Sequence, residues 1–186
     1  LAEPGAFVAG LERVVRERRI DVLVPMSEGA LLAVLPERAR FSGTCIPFPS
    51  SDRFRRICDK AAVLSAAQAL GIAIPFQHTL VHPAGVASLS LGAEDFPFVI
   101  KSARSVNDVG GARRTSGVSH VPDRAALEAV LASYSPESYP LLLQQRIDGP
   151  GVGIFLLIWD GKVLATFAHR RIREKPPSGG VSVYRE

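Results

Sequence analysis

The chain has 186 residues, 47% of them apolar, and its 22 basic and 18 acidic residues leave a formal net charge of +4. That composition supports a buried core in one large domain or two small ones and excludes disorder of the whole chain. No window reaches about 18 consecutive apolar residues, the length a membrane-spanning helix needs, and Leu1-Ala2-Glu3-Pro4-Gly5 lacks the basic-then-apolar order of a signal peptide.

The only two cysteines, Cys45 and Cys58, have no metal-ligand spacing and read as thiols of a reducing, cytoplasmic setting. Arginine greatly outnumbers lysine; the lysines are Lys60, Lys101, Lys162 and Lys175. Basic residues cluster at 13–19, 53–56 and 169–175. Nucleic-acid binding is one reading of that balance. With no zinc-finger spacing and no aromatic-rich RNA-binding signature, small anionic ligands are the better one.

In chain order, residues 6–18 place Phe7, Leu11, Val14 and Val15 at helical spacing. Ile20-Asp21-Val22-Leu23-Val24-Pro25 predicts a short buried strand, Glu28 to Leu35 a helix, and Cys45 to Pro49 an extended segment. This opening has the look of the tail of an α/β layer. Ser50 or Ser51 caps a helix, and Phe54, Ile57, Cys58, Ala61, Leu64 and Leu70 continue its period until Gly71 stops it. Ile72 to Val81 is extended, and His82-Pro83-Ala84-Gly85 turns the chain.

Phe96 to Lys101 is a strand, and Thr115 to Val121 returns as its partner. Asp123 starts a helix with Leu127, Val130, Leu131 and Tyr134 on its apolar face. Leu141 to Ile147 is another strand. Asp160-Gly161 closes a hairpin between Gly153–Trp159 and Val163–His169. Trp159 is expected to pack on that sheet, and Arg170 to Glu186 is basic and loop-like. His78, His82 and His120 read as structural or exposed.

Lys101 carries the most information. It ends an apolar strand, and the glycine-bearing loop 105–114 follows at once. A fixed cation beside a flexible run of backbone donors suits a triphosphate. Downstream, His169, Arg171 and Arg173 occupy alternate positions; a continuous strand would set all three on one face, suited to a carboxylate or a phosphoryl group.

The colinear segments Cys58-Asp59-Lys60, Phe96-Pro97-Phe98-Val99-Ile100-Lys101, Val109-Gly110-Gly111, Gln144-Gln145-Arg146-Ile147-Asp148-Gly149 and His169 to Gly180 resemble the ATP-grasp superfamily of carboxylate–amine ligases and their carbamoyl-phosphate-synthase-like relatives. Each segment is weak alone; order and spacing make the match specific. The resemblance implies an incomplete α+β ATP-grasp fold, α/β at its N-terminal end, with two subdomains flanking a nucleotide cleft. Residues 1–50 would end a preceding α/β domain, 51–147 would form the nucleotide-binding A subdomain, and 148–186 would begin the B subdomain.

It further implies that Lys60 and Lys101 contact phosphates, that Gly110 and Gly111 form a lid over them, and that Gly179 and Gly180 allow close backbone approach. Gln144, Gln145 and Ile147 would line the adenine edge, with one of the two glutamines facing the nucleotide. Arg171 and Arg173 would act on the transferring phosphoryl group or the acceptor. ATP and magnesium would be the cofactors. The acidic and Asn residues that hold magnesium in this superfamily have no counterpart before Glu186, so a fragment is expected, and Pro150 stands where relatives often carry an acidic residue.

The expected function is ligation through an acyl phosphate, with a small carboxylate as substrate. A nucleotide-binding module without catalysis is the alternative, and a nucleic-acid binder the distant one. The ligase reading requires the ammonium groups of Lys60 and Lys101 to converge.

Overall fold

The computed structural model describes residues 3–109, 112–115, 117–175 and 181–186. It divides into two compact units, Leu1–Arg146 and Ile147–Glu186.

The first unit opens with α1 (Pro4–Arg18), which has Pro4 in its first turn and ends where Arg19 adopts a left-handed conformation. Helix α2 (Glu28–Val34) is capped by Ser27, whose hydroxyl accepts from the Ala30 amide. Val8, Val15, Leu31, Val34, Phe41 and Phe54 form a core between these helices and α3 (Ser51–Cys58). The predicted strand at 20–25 is not formed. Val22 makes a single parallel bridge to Cys45, and Val22 and Val24 are exposed. One bridging residue supplies too few partners for a ladder. The Arg38 guanidinium instead pins the neighbouring extended segment by donating to the carbonyls of Ile46, Phe48 and Pro49.

The single helix predicted from Ser50 to Leu70 is two. Helix α3 ends at Cys58, Asp59 is extended, and α4 (Lys60–Ala69) begins. Periodicity runs through the break, and local chemistry makes it. The Asp59 carboxylate accepts from the Ala62 amide, capping α4. Asp59 also bridges to Arg104 in backbone and side chain. The Lys60 amide donates to the Ala103 carbonyl at 2.8 Å.

A four-stranded antiparallel sheet follows, ordered β1 (Gln77–Leu80), β6 (Leu141–Gln145), β2 (Phe98–Ser102), β5 (Val118–Val121). Between β2 and β5, β3 (Val106–Val109) pairs with β4 (Ala112–Thr115) as a separate two-stranded ribbon. Helix α5 (Arg124–Ala132), capped by Asp123, covers one sheet face. Phe98, Ile100, Leu80, Val121, Leu141 and Leu143 bury against its Leu127 and Leu131.

The second unit is a three-stranded antiparallel sheet: β7 (Val152–Trp159), β8 (Lys162–Lys175) and β9 (Val181–Arg185). Asp160 and Gly161, both at positive φ, make the predicted turn. The segment expected as a loop after Arg170 is instead strand: β8 runs on to Lys175 and pairs with β9. Its prolines and glycines lie at 176, 177, 179 and 180, so they do not interrupt either strand. Ile154, Leu156, Ile158, Phe155, Leu157 and Trp159 are all exposed.

Candidate functional site

Register sorts the first unit's sheet into two faces. Directly paired residues share a face, and successive residues alternate. Phe98, Ile100, Leu143 and Gln145 point toward α5. Val99, Lys101, Leu142 and Gln144 occupy the opposite face. Of the two glutamines, Gln144 therefore shares a face with Lys101 and Gln145 does not. The Gln145 amide donates to the Phe76 carbonyl at 2.8 Å.

Lys101 is half-buried, and its amine donates to the Gln144 side-chain oxygen at 3.0 Å. Gln144, itself buried, donates its amide nitrogen to the Gln77 side-chain oxygen at 3.2 Å. Lys60 reaches the same neighbourhood from the first turn of α4. Its amine donates to the Ser102 carbonyl at 3.2 Å and to the Ser105 hydroxyl at 2.9 Å. The break at Asp59 makes this possible, because it starts α4 against the end of β2. An uninterrupted helix would give position 60 no such anchor.

Electrostatics report the same convergence. Burial lowers the Lys101 pKa below the ordinary lysine value, and the positive charge of Lys60 lowers it further. Burial also lowers that of Lys60, while the Glu28, Asp59 and Cys58 side chains pull it back up. Burial raises the Cys58 thiol, helped by the charge of Glu28 and a hydrogen bond to it. Two half-buried amines brought into one neighbourhood form a site that gains from binding a polyanion.

Glu28 and Gln77 belong to this neighbourhood, and sequence reasoning missed both. Nothing in a lone helix-start glutamate or a strand glutamine sets it apart. The ribbon β3–β4 springs from the loop that holds Ser105; Gly110 and Gly111 lie outside the described residues, as do Gly179 and Gly180.

In the second unit, the strand expected to carry His169, Arg171 and Arg173 on one face is irregular around Arg173. His169 is buried over Gly153, where a Cβ would stand 2.5 Å from the imidazole, and stacks on Phe155 and Phe167. Arg171 lies over Gly151 and pairs with Glu174 at 3.2 Å. The register then shifts, so Arg171 opposes Arg185 while Arg173 opposes Tyr184. A second shift follows between Arg173 and Glu174, so irregularities flank Arg173 on both sides. Ile147 is exposed, as is Trp159 in large part. Among the described residues no three His, Cys, Asp or Glu side chains converge, and no helix is long and apolar enough to cross a membrane.

No protein-family model matches this chain, and no curated protein does. Solved structures do. An L-amino acid ligase from Bacillus licheniformis superposes with a TM-score of 0.64 at 18% identity, covering 97% of this chain and 39% of that protein. A carboxyaminoimidazole ribonucleotide synthase from Aspergillus clavatus, complexed with ATP, gives 0.60 at 21% identity, covering 88% and 41%. A RimK domain ATP-grasp protein from Sphaerobacter thermophilus DSM 20745 gives 0.53 at 18% identity, covering 78% and 53%. The chain thus spans roughly two fifths to one half of the structures it matches, and the fold it shares with them is part of the ATP-grasp fold.

Proposed function

We propose that this chain supplies the phosphate- and adenine-binding part of an ATP-dependent ligase that activates a carboxylate as an acyl phosphate for attack by an amine. The observation that carries the reading is the convergence of Lys60 and Lys101 from two separate elements, each anchored and each depressed in pKa by burial. The solved ligases of the same fold lend it the reaction class, and the structure complexed with ATP lends it the nucleotide.

In this reading, Lys60 and Lys101 bind the triphosphate, with the β3–β4 ribbon and its Gly110-Gly111 tip lying over it. Gln144 serves the site by holding Lys101. The backbone of Gln145 and Ile147 meets the adenine edge, Gly179-Gly180 lies close to the substrate, and Arg171 and Arg173 stabilise the transferring phosphoryl group or orient the acceptor. Such a transfer asks the protein mainly for positioning and charge neutralisation. Magnesium would enter with the nucleotide and offset part of the triphosphate charge.

The test is a calorimetric titration of the protein with Mg·ATP. Binding is expected, and Lys101→Ala should weaken it by roughly ten- to a hundredfold, the loss of one charged hydrogen-bonding partner. Absence of binding by the parent, or undiminished binding by Lys101→Ala, would sink the reading. Phosphate release that requires both a carboxylate and an amine would separate a ligase from a plain nucleotide-binding module.

A further inference from the structure

We propose that Gln77, on the edge strand β1, is a positioning residue for the phosphate site. It locks the Gln144 amide in the one orientation that offers Lys101 an oxygen. The role assigned to Lys101 rests on the function proposed above; the lock itself does not.

A glutamine amide has two nearly isosteric orientations, and they are chemically opposite. One presents an acceptor, the other two donors. An ammonium group only donates, so Lys101 can be held by Gln144 in just one of them. Nothing in Gln144 itself prefers it. Lys101 selects it from the near side, and on the far side the amide nitrogen donates to the Gln77 oxygen, which favours the same orientation. Flipping Gln144 would set its oxygen against the Gln77 oxygen and its NH2 against the Lys101 ammonium, losing both bonds at once.

Topology makes the relay possible. Gln77 pairs with Gln144 across β1 and β6, and Gln144 pairs with Val99, two residues from Lys101, across β6 and β2. All four share the face opposite α5. Gln144 is buried, so an unsatisfied amide there is costly and the lock is firm. The arrangement also offsets a repulsion. Lys60 pushes against Lys101 across the site, and among the described residues no carboxylate bonds to Lys101 in return; a fixed amide oxygen is what holds its amine in place. On this face the titratable neighbours of Lys101 are Lys60 and, on β5, His120, which pairs with Val99.

The chain's four lysines make the test direct. Side-chain 15Nζ NMR of the ligand-free protein resolves each amine, with Lys101 assigned through Lys101→Arg. In Gln77→Leu, the Lys101 amine should titrate at lower pH than in the parent, because its acceptor is no longer held, while Lys162 and Lys175 stay put. In Gln77→Glu, which still accepts from Gln144 and adds a negative charge, it should titrate higher. Binding of Mg·ATP should weaken about tenfold in Gln77→Leu, the scale of one charged hydrogen bond. A Lys101 titration unmoved in both variants overturns the proposal; if Gln77→Leu does not fold, an unmoved titration in Gln77→Glu does so alone. If Lys101→Ala binds Mg·ATP undiminished while both titrations shift as expected, the functional reading falls and the relay stands.

Discussion

The two sheets of this protein use apolar strands in opposite ways. In the first unit, α5 seals one face of the four-stranded sheet, and Phe98, Ile100, Leu127, Leu141 and Leu143 have no measurable exposure. With that face stable, the other is free to carry Lys101 and Gln144. In the second unit, β7 reads as still more apolar, yet Ile154, Leu156 and Ile158 on one side and Phe155, Leu157 and Trp159 on the other stay exposed. Among its described residues only His169 is buried. Hydrophobic sequence therefore does not by itself make a core, and a polar site needs a sealed back.

The largest expected effect tests that contrast. Phe98→Ala should cost about 3–5 kcal/mol, the usual toll for emptying a fully buried aromatic site. Phe155→Ala, at 53% exposure, should cost about 1 kcal/mol or less, since little of its surface leaves water on folding. Urea unfolding curves of both variants measure the difference. Equal losses would mean that the second sheet is sealed as tightly as the first.

The next effect concerns the price of placing amines on the sealed sheet's free face. Folding lowers the pKa of Lys101, so in the window between its folded value and the ordinary lysine value the unfolded chain binds more protons. Stability should therefore rise with pH through that window, as the half-buried amine sheds its charge. The same sign holds for Lys60. Lys101→Met should flatten the rise and raise stability at neutral pH, while the ligand site is lost. A Lys162→Met control in the second unit, at an exposed turn, should change neither. Thermal unfolding as a function of pH checks all three.

Much of the sealed unit could be read from residue patterns. The strand ending at Lys101 and the Asp123-capped helix follow from alternation, period and caps; the partner strand, read as Thr115 to Val121, forms at Val118–Val121, with Thr115 paired to β3 instead. The break at Asp59 did not, because Ile57, Cys58, Ala61 and Leu64 keep helical phase straight through it; the bond from the Lys60 amide to Ala103 that stabilises the break joins residues 43 apart and leaves no local trace. The extension of β8 to Lys175 was missed for a related reason. Five charged residues between 170 and 175 look like a loop, but on a strand paired with β9 they are tolerated because most of them are exposed. For the site, both lysines were legible. Gln77 and Glu28 were not, since each matters only through a partner distant in the chain.

A smaller effect follows from that break. Asp59→Ala removes the α4 cap and the exposed ion pair with Arg104, and it should destabilise by about 1 kcal/mol, nearly all of it from the cap. Asp59→Asn keeps a capping oxygen and should recover most of the loss. The two variants differ more in the site than in stability. With α4 no longer begun at Lys60, the amine loses its hold on Ser102 and Ser105, and its 15Nζ signal should broaden in Asp59→Ala but not in Asp59→Asn.

The smallest effect is the most telling about the second sheet. Leu156→Ser on β7 replaces a 53% exposed side chain directly opposite Thr166 of β8. In a sealed sheet the same exchange would strip a buried aliphatic group and strand a hydroxyl in the core, at a cost of several kcal/mol. On a face open to water it should shift stability by no more than about 0.5 kcal/mol, because the serine hydroxyl stays hydrated and the strand keeps its ladder to β8. Chemical denaturation with tryptophan fluorescence is the matched measurement, since the only tryptophan, Trp159, sits at the end of that strand. A loss of several kcal/mol would show that this face is covered in solution, and the contrast between the two sheets would then disappear.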